Sequence, residues 1–390
     1  MKNFFRTTVG FMIIMILFIC CKQEYIPQLE EKNLSLLVVE GFLNSGQGPT
    51  NIHLSRTVDL ANRAATKSEL GAQVRVEGEN GSSFTLIGNP NGEYSIAQLA
   101  LANNVKYRLW IKTTDGKEYA SDFTPIKYTP PIDSITWQRE SDGVRLYVNT
   151  HDPQNATRYY QWEYEETWEF RSSFRSSVKY IRDNITNRII AMDFKYPDHT
   201  VDTTIYKCWK TVNSTSIILG SSERLTADVI YLPFHFINQG SEQLSVLYSI
   251  NLKQYAISHE KYLFLEKMKK NTEQLGSLFD PQPTQLSGNI HCLTDPNEIV
   301  IGFVEISQQQ TKRKFIYNNE VDNWNYNPGC FEIEIDNIRD SLAKYGEIVV
   351  PTTPSLVSPF GMIIKSYATP DIKCVDCRIG RLNQKPTFWP

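Results

Sequence analysis

The sequence predicts a mainly β protein: an N-terminal immunoglobulin-like or transthyretin-like sandwich, then a larger β-rich domain with one main helix. Short apolar runs alternate with polar residues. Asn-Gly or Asp-Gly pairs punctuate them at Asn80-Gly81, Asn91-Gly92, Asp115-Gly116 and Asp142-Gly143, supplying the positive φ that tight hairpins use. The composition, 41% hydrophobic, 12% aromatic and 21% charged, is that of an ordered chain able to bury a large core.

The first element is not part of the fold. Lys2 and Arg6 precede an apolar run over residues 9–19 that stops at Cys20 and Cys21 and is followed by Lys22, Gln23 and Glu24. A spanning helix needs about 20 apolar residues, so residues 1–20 read as a signal peptide. The apolar run ends at cysteine with no Ala-x-Ala, the pattern of a lipoprotein cleavage site. Cys21 is the expected lipid acceptor, because the small Cys20 suits the position before the cut; Cys20 itself is the alternative. A diacylglyceryl-modified, acylated cysteine carries several chains, enough for stable anchoring. The competing reading is an ordinary cleaved signal that leaves a free cysteine. Residues 21–33 are polar, contain Pro27 and lack a helical period, so they read as a tether reaching about 40 Å if extended.

The first folded unit is expected over residues 34–128. Residues 35–42 form an apolar strand, 74–76 and 84–86 flank Asn80-Gly81, and 107–111 and 118–120 flank Asp115-Gly116. Asn91-Gly92 precedes the alternating Tyr94 and Ile96. Evenly punctuated short strands of this kind indicate a sandwich. Pro130-Pro131 closes the unit, since consecutive prolines interrupt strand pairing.

The second domain is expected over residues 132–390, with a helical insertion. It opens on a hairpin of 135–138 and 144–148 around Asp142-Gly143. Tyr160, Trp162 and Tyr164 alternate with Gln161, Glu163 and Glu165, and Trp168 and Phe170 continue the row. Period 2 puts these aromatics on one face. The core claims such a face more often than a sugar-stacking platform does. Val246, Tyr248, Ile250 and Leu252 make a further strand. From Ser258, a capping residue, the pattern turns helical: Leu265 and Met268 lie three apart, and Lys269 and Lys270 suit a helix C-terminus. The main helix is expected at 258–275.

The formal net charge of -3 becomes -5 once Lys2 and Arg6 are removed, which leaves no electrostatic footprint for nucleic acid. Five cysteines follow Cys21: Cys208, Cys292, Cys330, Cys374 and Cys377. In an exported protein they are disulfide candidates, and an odd number leaves at least one unpaired. Cys374 and Cys377 sit in a tail containing Gly, Asn and Pro rather than at a helix start after a strand. A structural disulfide between them is therefore expected in preference to a redox pair or zinc site.

Motifs for chemistry are otherwise missing. There is no His-Glu-x-x-His, no Gly-x-Ser-x-Gly and no phosphate-binding loop ending in Gly-Lys-Ser/Thr. Ser176 to Lys179 and Ser258 to Lys261 match Ser-x-x-Lys without the companion elements of a penicillin-binding site. Asp280, Asp295 and Glu298 lie near prolines and read as turn caps rather than calcium ligands. No catalytic residue, cofactor or metal ligand is assigned.

Several stretches carry a family resemblance. Tyr248-Ser249-Ile250, the run from Asn271 through Gly276-Ser277-Leu278-Phe279-Asp280 to Pro283, and Gly288-Asn289-Ile290-His291-Cys292 are three of them. With Cys374-Val375-Asp376-Cys377-Arg378 and Lys385-Pro386-Thr387-Phe388-Trp389, they resemble domain-of-unknown-function family 4249, Gram-negative outer-membrane lipoproteins, over the whole mature chain. The resemblance implies a carboxypeptidase-regulatory-like N-terminal sandwich, frequent pairing with a TonB-dependent β-barrel transporter, and no catalytic residues. The start Cys21-Lys22-Gln23-Glu24 is similar to the signal that sends such lipoproteins to the cell surface. The expectation is a non-enzymatic lipoprotein, anchored in outer-membrane lipid through its cysteine and facing the cell exterior. It would assist a transporter in nutrient uptake, by analogy with the lid lipoproteins of glycan and peptide importers. A structural, adhesive or assembly component of the envelope is the alternative.

Overall fold

The structure, a computed structural model, describes residues 35–58, 67–273 and 288–390. The expected signal peptide, Cys20, Cys21, the tether and most of the 271–283 motif lie outside these residues.

The N-terminal strands are β1 (Leu37–Asn44), β2 (Thr50–Arg56), β3 (Lys67–Ser68), β4 (Gln73–Gly78), β5 (Ser83–Gly88), β6 (Glu93–Ile96), β7 (Tyr107–Lys112) and β8 (Glu118–Ser121). The middle of the chain forms β9 (Ile132–Glu140), β10 (Gly143–Asp152), β11 (Tyr159–Arg171), β12 (Val178–Arg182), β13 (Ile189–Phe194), β14 (Lys207–Asn213), β15 (Ile218–Ser221), β16 (Asp228–Asn238) and β17 (Leu247–Ala256). Helix α1 (His259–Glu273) follows, then β18 (Ile290–Cys292), β19 (Val300–Gly302), β20 (Ile306–Ser307) and β21 (Gln310–Tyr317). The chain ends with β22 (Ile333–Asp336), α2 (Arg339–Tyr345), β23 (Val350–Val357) and β24 (Ile363–Thr369). The fold is mainly β with one main helix, as the sequence predicts.

The expected hairpins form. Val76 pairs with Phe84 across Asn80-Gly81, and Ile111 with Tyr119 across Asp115-Gly116; Gly81, Gly92 and Gly116 all take positive φ. Asp142-Gly143 also joins a hairpin, but Gly143 works differently. It is the first residue of β10, facing Asn238, and a Cβ there would overlap the Ile237 carbonyl and the Phe236 ring. Close approach, not turn geometry, requires the glycine.

The N-terminal unit is not confined to residues 34–128. Its sheet runs in the order β18-β8-β7-β4-β5-β6-β2-β1-β19, so strands from beyond residue 288 close both ends of the path. Ile290 pairs with Ser121, Val300 runs parallel to Leu37, and Ile306 parallel to Leu43. The path curls until β18 and β19 adjoin around one core that includes Leu54, Val76, Tyr94, Ile111 and Ile306. Gly288 lies at that closure, where a Cβ would run into the Gly302 carbonyl. Gly288→Ala should therefore cost about 1–3 kcal/mol, the usual range for overpacking, read as a lower urea midpoint; an unchanged midpoint would mean the closure adjusts freely.

The described part of residues 132–390 holds two main cores and two smaller apolar clusters. In the larger core, β16-β10-β9 packs against the sheet β14-β11-β17-β21, and Leu146, Tyr160, Trp162, Tyr248 and Leu252 are buried between them. The aromatic row of β11 is thus core: Tyr160 and Trp162 are fully buried, and the Trp162 indole donates to Gln254 Oε1 at 2.7 Å. The smaller core gathers β12, β13, β22–β24 and the short helix α2 around Met192, Ile335 and Leu342. At the end of the chain, Trp389 is buried with Trp209 and Leu247, and its indole donates to Glu169 at 3.3 Å.

The Cys374–Cys377 disulfide is corrected. Cys377 bonds to Cys208 and Cys374 to Cys330, while Cys292 is a buried free thiol. Cys374 ends a single 3-10 turn, Ile372–Cys374, just before Cys377. The Cys377 N–H donates to the Ile205 carbonyl, which seats it beside Cys208, whereas the Cys374 carbonyl accepts from Phe174. Neighbours in sequence are thereby fastened to different parts of the fold.

Candidate functional site

A cavity of about 840 Å³ lies where the N-terminal unit meets the larger core. Its floor is the outer face of β11 and β17, opposite the aromatic row. Period 2 sends Gln161 and Glu163 to that face, and Glu163 pairs in register with Lys253. One wall is β1 at Val38 to Phe42 with Phe303, and another is the loop 213–217. The end of α1 holds that loop: Lys269 Nζ donates to the Ile217 carbonyl and the Ile217 N–H to Glu273, both at 2.8 Å.

The remaining wall is α1 itself. Lys261, Phe264, Leu265, Met268 and Thr272 all line the cavity, a spacing of three and four that puts them on one helix face. Ser258 starts the helix as expected, its Oγ accepting from the Lys261 N–H at 3.0 Å. That capping bond, not nucleophilic chemistry, is what the Ser258 to Lys261 pattern reports. Ser176 is likewise structural: it is buried and its hydroxyl donates to the Pro351 carbonyl at 3.3 Å.

Lys261 is the unusual member of this face. It is 2% exposed, and its ammonium lies 3.4 Å from the centroid of the Phe42 ring, whose other partner is Tyr255, stacked at 4.0 Å. Among the described residues no carboxylate lies within 4.0 Å of this ammonium and no group accepts a hydrogen bond from it. Burial pushes its pKa down to about 8, against the pull of Glu305 and Glu163. Burial also raises the Glu163 carboxyl, although Lys253 and Lys261 oppose it. Glu305 is occupied at hydrogen-bond distance elsewhere, accepting from the Ser258 N–H at 3.1 Å. Cation–π contact with Phe42 compensates part of the cost of this buried charge, but the cavity side of the ammonium has no described partner.

Other polar clusters hold the fold. Tyr164 and His235 Nδ1 share a hydrogen bond at 2.7 Å, His235 Nε2 lies 3.2 Å from Glu166, and Tyr248 donates to Glu166 at 2.9 Å, all on the core face of the sheet. Glu298 is more than a turn cap: it accepts from Tyr119 at 2.7 Å and pairs with Lys117 and Arg56, tying the loop after β18 to the N-terminal sheet. Asp295 does cap a turn, accepting from the Asn297 N–H, and Asp280 lies outside the described residues. Among the described residues, no three His, Cys, Asp or Glu side chains gather as a metal site, and no helix is long and apolar enough to cross a membrane. As a cavity residue Lys261 is not among the positions expected from the sequence. The available signal was its phase, three, four and seven residues before Phe264, Leu265 and Met268.

Comparison with known proteins adds the following. The sequence model of a family described as Domain of unknown function (DUF4249) matches residues 22–313. The match ends inside β21, so the paired tail cysteines and Trp389 lie beyond it, short of the whole-chain coverage expected from the resemblance. No curated protein matches. Among solved structures, chitinase ChiA74 from Bacillus thuringiensis is similar over 54% of this chain and 29% of its own, with 11% identity and a TM-score of 0.15. A likeness that slight carries no argument about fold or activity.

Proposed function

Because the chain belongs to the DUF4249 family, we propose that it is an outer-membrane lipoprotein facing the cell exterior, a non-enzymatic binding accessory of a TonB-dependent transporter in nutrient uptake. The observation that carries the binding role is the cavity at the junction of the two units, about 840 Å³ and lined by apolar side chains with a few charged ones. Such a volume and lining suit a small ligand, and junctions between packed units are where ligand sites commonly form. The cysteine that ends the apolar leader supports the anchor, and two disulfides support an oxidising compartment outside the cytoplasm. The transporter partnership rests on the family resemblance.

Affinity purification of the tagged protein from native membranes in mild detergent tests the partnership. Stoichiometric recovery of a β-barrel transporter is the expected result, and recovery of the lipoprotein alone would sink it. One observation favours the second reading, a structural or adhesive envelope component. The hairpin of β23 and β24 exposes Phe360 at its tip with Met362, Leu356 and Ile364 beside it, and apolar patches of this kind mark interaction surfaces. Recovery of envelope assembly factors, with uptake intact in a deletion strain, would move the weight there.

A further inference from the structure

We infer that the cavity between the two units takes the carboxylate group of a small organic acid with an apolar body, held by Lys261. The inference rests on the reading of this cavity as a ligand site and adds the class of ligand.

A lysine placed in an apolar helix stripe must bring its charge out of water, and such a group normally has a carboxylate beside it. Lys261 has none within ion-pair distance among the described residues, and the residue is almost wholly covered. Phe42 occupies one side of the ammonium at 3.4 Å, and a ring accepts no conventional hydrogen bond, so donor capacity remains for a ligand in the cavity that Lys261 lines. The acids nearby are committed or offset. Glu305 accepts from the Ser258 N–H, and Glu163 faces Lys253 across the β11–β17 register. Glu40 and His53, register partners on β1 and β2, also line the cavity, so an anionic group finds its favourable contact at Lys261 itself rather than from the lining as a whole. The rest of the ligand would lie along Phe264, Leu265, Met268 and Phe303, where Phe264 and Phe303 have ring centroids 5.7 Å apart. That surface is apolar, which disfavours a sugar and favours an acyl, aryl or hydrophobic amino-acid body. A buried charge kept without a partner is the kind of feature in which stability is given up for function.

Both a peptide C-terminus and a simple fatty acid present this chemistry. The test is calorimetric titration of the soluble mature chain with N-acetyl-Leu-Phe, its C-terminal amide and decanoate. At least one of the two acids should bind, the tighter of them identifying the source. Lys261→Met should weaken the bound acid at least ten-fold, and Lys261→Arg should retain more of its binding than Lys261→Met does. If the peptide acid is the one that binds, its amide should bind at least ten-fold more weakly. Thermal unfolding of each variant separates loss of the site from loss of the fold. Equal binding of the peptide acid and its amide, or full binding by Lys261→Met, would overturn the inference. So would absence of acid binding up to millimolar concentration. If a neutral disaccharide binds where the acids fail, the carboxylate class is wrong while the binding role stands.

Discussion

Cys377→Ser should lower the stability of the mature chain by about 3–5 kcal/mol, the largest loss expected from any single substitution considered for this protein. The Cys208–Cys377 bond closes a separation of 169 residues. The chain-entropy relation for a loop of that length gives about 5 kcal/mol, and measured effects run from near zero to that value. The upper part of the range is expected because both sulfurs are fully buried beside Phe170, so the variant also leaves a thiol and a hydroxyl in an apolar site. Urea unfolding should show the midpoint falling in Cys377→Ser, and in the wild type under reducing agent. Cys292→Ser should leave the reductant effect intact, because Cys292 is unpaired. A Cys377→Ser midpoint equal to that of the wild type would mean that Cys208 and Cys377 are not joined.

Lys261→Met should make the free protein more stable at neutral pH, an unusual direction for a buried substitution. The sign follows from linkage. The folded-state pKa of about 8 lies below the ordinary 10.5, so between these values the unfolded chain holds the proton more firmly. Wild-type stability must then rise with pH across that window, and the whole penalty is present below about pH 8. The separation corresponds to about 3 kcal/mol. Loss of the desolvated contact with Phe42 gives back about 2 kcal/mol, which leaves a gain of about 1 kcal/mol. The charges that act on the ammonium are Glu305, from the segment after β19, and Glu163 from β11; Lys253 of β17 lies opposite Glu163 in register, Glu40 and His53 also line the cavity, and the substitution leaves all of them in place. The variant should have the higher urea midpoint at pH 7, and its advantage should shrink as the pH rises above about 8. A destabilised variant at pH 7 would show that Lys261 is compensated in the fold, and the argument for a ligand carboxylate would lose its basis.

The two predictions differ in how far the sequence anticipates them. That the exported cysteines should form disulfides follows from residue type and compartment, but the pairing does not. Cys374 and Cys377 are close neighbours in the chain, yet one is carried to Cys330 and the other, by a backbone bond to Ile205, to Cys208. Lys261 was legible as the lysine of a short Ser-x-x-Lys match and, by its phase with Phe264, Leu265 and Met268, as a member of the apolar stripe of α1, but not as a buried charge. Its burial depends on β1 lying across α1, a contact that brings Phe42 to Lys261 from the far end of the chain.

The same division runs through the whole molecule. Local pattern alone determined the β class, the turns at Asn80-Gly81 and Asp115-Gly116, the core face of Tyr160 and Trp162, and the helix starting after Ser258. Each is set by backbone sterics or by the two-residue and 3.6-residue periods, which act over a few neighbours. Tertiary structure decided what those elements meet. The strands Ile290–Cys292 and Val300–Gly302 are three residues each, too short to show a period, and they acquire their identity only by pairing with β8 and β1. The disulfide partners, the two main cores within residues 132–390 and the cavity around Lys261 arise in the same way, because long-range packing places side chains that no local period relates.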